Sequence, residues 1–558
     1  MLLLIFLIAV VCFVFAYVIY GRFLAHYYDL DDSKPTPSHT DYDGIDRVPA
    51  HKAVLLGHHF SSIAGAAPII GPIIAGIAFG WLPVLLWVVL GSIFIGGVHD
   101  FSALVASIRH KGRSIAEVAR EYMSPLAYKL LLAFIWLTLV YVLTVFADLT
   151  ATTFVENGGV ATSSLLFIIL AVLFGLSINK FNIPLLRASL IFVPLVFVAV
   201  WVGQQIPISA KIVPNIIAGD PKKTWALILI FYCYIASTTP VWILLQPRDY
   251  LSSFLLYSSV FGAFLGILLG GFSLSYPAYM GWNSPDMGGT LFPILFISVA
   301  CGACSGFHSI VASGTTSKQL NKQTDAKLIG YGAMLLEGVV AVVALATVAM
   351  LTKGSALAKK PPLEIYGTGM SNFLSAVGVP RQFGYSFGLL ALSAFILTTL
   401  DTATRLGRYI FEEFFNFKKT RSRYISTLAT LVLPTVFVLI TLKDPVTDKA
   451  IPAWKAIWPA FGASNQLLAG LVLLVIAIWL KTLGKKVWFI LIPMIFMNVM
   501  TIWGLVTLLL RYVWKAWPHV SPVGIIAAVL LLLAVILLIE ALKALRKAIK
   551  VKTALPDT

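Results

Sequence analysis

The stretch that most constrains this chain is Gly57-His58-His59-Phe60-Ser61-Ser62-Ile63-Ala64-Gly65-Ala66-Ala67-Pro68-Ile69-Ile70-Gly71-Pro72, apolar enough to enter a membrane yet unable to run as one helix. Pro68 and Pro72 supply no backbone N–H, the glycines relax the backbone, and two histidines and two serines stand beside the break. In hydrocarbon such a break survives only where protein buries it or a watery cavity adjoins it. The stretch is therefore either a packed kink or part of a site.

Its surroundings are a membrane. Of 558 residues, 59% are hydrophobic and 12% charged, where soluble domains carry ~25% charged residues. Fifteen apolar runs of helical length follow one another, with no polar stretch long enough for a separate soluble domain. The net charge of +17 does not point to nucleic acid, because the basic residues lie in short loops beside the spans. Summed over alternate connections, Lys and Arg concentrate on the side of the 21–53, 109–125, 314–326, 411–423 and C-terminal segments. The positive-inside rule then predicts an external N-terminus and places Lys543, Arg546, Lys547, Lys550 and Lys552 in the cytoplasm. The run from Leu2 to Tyr20 lacks a basic leader and a small-residue cleavage site, so it is expected to be a retained helix. Cys12, Cys233, Cys301 and Cys304 all fall inside apolar segments and suggest no extracellular disulfide framework.

A second break appears five spans later. Ile235-Ala236-Ser237-Thr238-Thr239-Pro240 repeats the Ile-Ala-x-x-x-Pro pattern of Ile63 to Pro68, and an odd offset of five spans reverses direction. Two Pro-broken segments in oppositely oriented halves point to an inverted-repeat transporter with its site at the bilayer midplane. The expected architecture is an all-α polytopic membrane protein of about fifteen transmembrane helices. Residues 1–53 form an N-terminal helix and cytoplasmic loop; a five-plus-five core covers 54–205 and 224–410; four more helices lie in 424–558. Gly57, His58, His59, Ser61, Ser62, Gly65 and Ala66 supply one half of the expected substrate site, and Thr238, Thr239 and Trp242 the other.

A charge at a helix centre costs roughly 2.5–3.5 kcal/mol on insertion scales, so each ionisable residue in a span needs a partner or a task. His99-Asp100 reads either as a proton relay or as a structural pair. Asp148 has no cation near it in sequence, and Glu337 stands alone in an apolar span; both are proton-coupling candidates. Asp401 and Arg405 share a helical face and are expected to pair at i,i+4, as a structural or gating bridge. The aspartates of 21–53 fit no calcium-loop spacing, no metal-ligand spacing joins the histidines, and no Walker loop or nucleophile elbow sits in a plausible context. No enzymatic activity, metal or cofactor is expected.

GHHFSSIAGAAPIIGP, GGVHDFSALVASIRHKGRSIAE, QPRDYLSSF, ACGACSGFHSIVASGTTSKQL and PAWKAIWPAFGASNQLLAG closely resemble the carbon starvation protein A family of prokaryotic inner-membrane carriers. The resemblance covers nearly the whole chain and implies uptake of peptides or of pyruvate with protons. The inverted core also resembles the LeuT-like transporter fold. That second likeness implies a sodium-type cation site at Ser309 and Ser313, or a fixed positive charge from Arg187. The expected function is secondary active import of a peptide or a small carboxylate by proton symport, in contact with the lipid bilayer. The alternatives are a sodium-coupled carrier or channel-like facilitator, and a membrane sensor of the same ligands.

Overall fold

The computed structural model describes residues 1–208, 219–284, 287, 289–417, 421–440, 442–443, 450–514 and 522–553, and follows no side chains at 442–451, 522 or 547–553. The expected cytoplasmic Lys547, Lys550 and Lys552 therefore lie outside the described side chains.

The chain is nearly all helical and multi-pass. Among the described residues, twelve helices are long and apolar enough to cross a membrane, thirteen if Lys52–Ile63 and Ala67–Phe79 count as one span bent by 41°. Helix starts follow local chemistry. Ser124, Asn157 and Asp220 each accept a hydrogen bond from a backbone N–H of the first turn that follows, and Pro125 and Pro221 occupy positions whose N–H would be unused. Two of the fifteen apolar runs fall outside this count. One is the helix Pro221–Thr238, which ends before Leu245–Leu269 begins; the other divides into Leu291–Ser298 and Gly306–Gly314.

The layout separates a packed interior from a lipid-facing rim. Pro125–Glu156 and Arg381–Phe415 lie along each other, and Ala453–Thr482 is buried over most of its length. Leu2–Tyr27 instead exposes Leu4, Ile8, Val11 and Phe15, and Leu185–Gln205 exposes Leu186, Leu190 and Trp201, as lipid contact requires. Lys52–Ile63 packs on Leu245–Leu269, and Ala67–Phe79 on Ala333–Ala349.

Two long connections are ordered. Within 28–51, Thr36 and Ser38 donate to the Leu320 carbonyl and the Ala50 N–H to that of Gln319, so this loop lies across 316–324. Asp43 accepts from the N–H groups of Ile45, Asp46 and Arg47, a turn-forming use of an acidic side chain. In the other connection, Pro362–Ala376 is a helix packed on Arg381–Phe415 and Leu245–Leu269.

Candidate substrate and proton sites

The opening stretch breaks at Ala64-Gly65-Ala66. The Gly65 N–H reaches back only to the Ile63 carbonyl at 2.8 Å, and Pro68 fits the first turn of the next half-helix. Thr399 donates to the Ser62 carbonyl at 3.0 Å, supplying a partner that the helix has lost. A Cβ on Gly65 would come within 2.9 Å of both Phe146 and Thr399, so glycine permits this close approach.

Against this break lies another, Val299–Ser305. A Cβ on Gly302 would lie 3.5 Å from the Pro68 Cα, and one on Gly71 would run into the Ser298 carbonyl. The released carbonyls are met from three sides: Trp87 donates to Val299 at 2.9 Å, Ser92 to Gly302 at 3.1 Å, and Gln466 to Phe296 at 2.9 Å and Cys304 at 3.3 Å. Asn465 accepts from the Phe307 N–H at 2.9 Å. Satisfying these groups is what allows irregular backbone at this depth. Between the breaks is a buried cavity of about 10 Å³, room for roughly one water. Ile63, Gly65 and Ala67 form one wall, Cys301 and Phe307 the facing one, and Val142, Phe146, Thr399 and Phe461 the sides.

Next to it, two histidines and two carboxylates meet, all fully buried. His99 Nδ1 lies 2.8 Å from Asp100 Oδ1, while His308 Nδ1 is 2.9 Å from Asp100 Oδ2 and its Nε2 is 3.3 Å from Glu337. Glu337, alone in its apolar span, is thus faced by a histidine from a different helix. Both Glu337 oxygens and Nε2 of both histidines lack a hydrogen-bond partner of good geometry among the described residues.

A second network lies on the other flank of the first break. His58 Nδ1 is 2.5 Å from Asp249 Oδ2, and Arg248 Nη2 donates to Asp249 Oδ1 at 3.0 Å. Arg248 also pairs with Asp401, which accepts from the Tyr232 hydroxyl at 2.7 Å. His59 contacts Thr316 at 2.8 Å, Ser61 donates to the Asp249 carbonyl, and Ser62 meets Thr402 at 3.0 Å. Gly57 packs against Tyr250 and Ser253. The polar residues before the break are thus held by protein partners, and only Gly65, with Ala66 capping the next half-helix, stands at the gap.

Several expectations need correction. Asp401 does not pair with Arg405: a deeper guanidinium, Arg248, takes it, and Arg405 points one turn further to Asp46 at 2.6 Å, with Arg408 at 2.9 Å on the other oxygen. Asp148 is not free of cations, since Lys222 in the first turn of Pro221–Thr238 lies 2.8 Å away and the Trp454 N–H donates to it at 3.1 Å. Arg187 lies exposed at the start of its helix, whereas Arg248, Arg405 and Arg408 are buried. Ser309 and Ser313 donate to the carbonyls of Gly306 and Ser309, bonds that leave lone pairs on both hydroxyl oxygens. At the Pro240 break, Thr238 and Thr239 bond back to Ile235, the Thr239 carbonyl accepts from Arg405, the Val241 N–H meets the Ile45 carbonyl, and Trp242 is half-buried. Among the described residues, no group of three or more His, Cys, Asp or Glu side chains is arranged to hold a metal ion.

Around Asp46, burial favours the protonated acid, but Arg408, Arg405 and Lys318 outweigh it and hold the carboxyl below the usual carboxylate range.

Residues 1–362 and 352–504 match the family model described as Carbon starvation protein CstA. A peptide transporter CstA of Campylobacter jejuni is 30% identical over 93% of this chain and 82% of its own length. The pyruvate/proton symporter BtsT of Escherichia coli is 30% identical over 88% and 79%. A peptide transporter CstA of Bacillus subtilis is 32% identical over 87% and 86%. Among solved structures, MhsT in complex with L-phenylalanine aligns at a TM-score of 0.47 with 13% identity, covering 88% of this chain and 99% of its own.

Proposed function

This chain belongs to the carbon starvation protein CstA family, and we propose that it is a secondary active transporter importing a short peptide or a small carboxylate such as pyruvate together with protons. It works in the cytoplasmic membrane of a prokaryote, with the N-terminus outside, the C-terminus inside and about fifteen crossings arranged around a five-plus-five inverted-repeat core. The substrate site is centred on the first break.

The observation that carries the reading is the buried cluster of His99, Asp100, His308 and Glu337 beside two breaks in the membrane. No Lys or Arg is paired with it among the described residues, so its charge is set by protons alone. Two protons balance it whether they sit on the carboxylates or on the imidazoles, and a third makes it positive. Such a site gains or loses one charge without breaking a permanent ion pair. One charge moved inward across 100 mV supplies about 2.3 kcal/mol to drive uptake. His308 stands in the half-helix that begins at the Val299–Ser305 break, so a proton there acts on the backbone beside the cavity.

Protons are favoured over sodium because the buried cluster is made of titratable groups and a relative 30% identical to this chain is a pyruvate/proton symporter. Uptake of pyruvate and of a dipeptide, each competing against the other, in proteoliposomes with an acid exterior tests the reading. Faster uptake of either compound than at equal pH is expected. A rate indifferent to the gradient, or dependent on external sodium, contradicts it.

A further inference from the structure

We infer that the facing wall of the substrate site is the Val299–Ser305 break, and that a carboxylate-ended substrate binds between Ile63–Ala67 and Cys301–Phe307. This deepens the transport reading and rests on it. It moves the second half of the core from 224–410 to the segment that begins at Leu291.

Four observations carry it. The two breaks touch, through Gly302 and Pro68 and through Gly71 and Ser298. Their halves pair in opposite order: Lys52–Ile63, before the first break, packs on Gly306–Gly314, after the second, and Ala67–Phe79 packs on Leu291–Ser298. Two broken helices side by side in this manner run antiparallel, the geometry that an inverted repeat produces. The described cavity nearest the polar breaks has its opposite walls on these two segments.

The order of elements also repeats. After the first break come a span carrying a π-helical turn at Ser92–Gly96, the short helix Ile115–Tyr122, and the 32-residue helix Pro125–Glu156. After the second come a span opening on a π-helical turn at Lys327–Gly332, the helix Pro362–Ala376, and the 35-residue helix Arg381–Phe415. The two long helices pack on each other. Asp100 and Glu337 then occupy the second span of each half and meet across His308. The halves become 52–205 and 291–482, with Pro221–Thr238 and Leu245–Leu269 inserted between them. The offset between the two breaks is seven spans, which also reverses direction.

The cavity states what it accepts. Val142, Phe146, Phe307 and Phe461 are apolar, the Thr399 hydroxyl already donates to the Ser62 carbonyl, and polar capacity comes from the starts of two half-helices, at Ala67 and Gly306. Helix starts carry partial positive charge and suit a carboxylate. With room for about one water, the site must open before it fills, and an acid with a short apolar chain requires the least opening. Pyruvate and the C-terminus of a dipeptide share that carboxylate.

The test uses the full chain in proteoliposomes. Cys301→Leu fills the cavity and is expected to raise KM at least tenfold for whichever compound is carried, while Thr239→Leu changes it less than twofold. The reverse pattern, or no effect of Cys301→Leu, overturns the assignment. If Cys301→Leu fails to reach the membrane, a chain with Cys12, Cys233 and Cys304 replaced by serine reports instead through alkylation of Cys301. Saturating pyruvate or dialanine is expected to slow that alkylation at least threefold, and slowing by one alone identifies which source of carboxylate the site takes. Alkylation slowed by neither overturns the site. Protection reads binding alone, so protection without uptake keeps the site and removes the transport reading.

Discussion

Two buried polar clusters flank the first break, and they are built on opposite principles. Around Arg248 a permanent guanidinium is locked between Asp249 and Asp401, with His58 and Tyr232 completing the network. Around His308 no permanent charge is paired, and Glu337 keeps both oxygens without a hydrogen bond of good geometry among the described residues. A cluster with a fixed cation resists changes of protonation, because each added proton removes an ion pair from a place where water cannot replace it. A cluster of imidazoles and carboxylates exchanges protons at smaller cost. The first holds Lys52–Ile63, the half before the break, in place; the second is suited to drive it.

Breaking the contrast at Arg248 should have the largest effect. Arg248→Met leaves Asp249 and Asp401 buried without their cation, a loss of about 3–5 kcal/mol, and should show as loss of folded protein in a detergent melting assay. Adding Asp401→Asn to that variant should restore part of the folded fraction. If Arg248→Met melts like the parent, the locked-network account fails.

Glu337→Gln should spare folding and abolish the response of uptake to a pH gradient, a loss of at least tenfold in accumulation, while exchange of labelled for unlabelled substrate continues. His99→Ala should weaken the same response with less effect, since His308 still bridges Asp100 and Glu337. A folded Glu337→Gln protein that still accumulates substrate against a gradient would remove the proton role from this cluster.

Asp46, which joins Arg405 and Arg408 to the 28–51 loop, is a third case. Its carboxyl is held below the ordinary value of about 4. The sign follows: a depressed folded pKa gives stability that is fully present above the unfolded value and lost as pH falls through the lower folded one. This latch therefore stays charged through the range in which uptake is measured. Asp46→Asn should alter the rate a few-fold and leave the shape of its pH profile unchanged between about pH 5.5 and 7.5, read as initial uptake rates.

The smallest effect is expected at Thr402→Val, which removes one hydroxyl contact to Ser62 and should cost about 1 kcal/mol.

The helices and the first break were legible in the sequence because apolar length and proline act locally. The Val299–Ser305 break was not, because its Cys, Gly and Ala residues are compatible with a helix and its backbone is released by partners far along the chain. Asn465 and Gln466, about 160 residues away, hold Ser305, Phe307 and Cys304. The Ile-Ala-x-x-x-Pro match did mark a true interruption at Pro240, but the break against Pro68 and Gly71 carries no proline. The same distance hid the charge partners. Arg248-Asp249 reads as a pair at a cytoplasmic exit until His58 and Asp401 approach from other helices, and Asp148 looks free until Lys222 folds back onto it. His99-Asp100 was readable because its two members are neighbours.

The central claim is that substrate and proton enter together. Proteoliposomes holding the purified chain and an internal pH dye, at equal pH on both sides, test it most directly when pyruvate or a dipeptide is added outside. The account predicts that the interior acidifies in step with entry of labelled substrate, and that Glu337→Gln abolishes the acidification. Entry of substrate with no change of internal pH would contradict it.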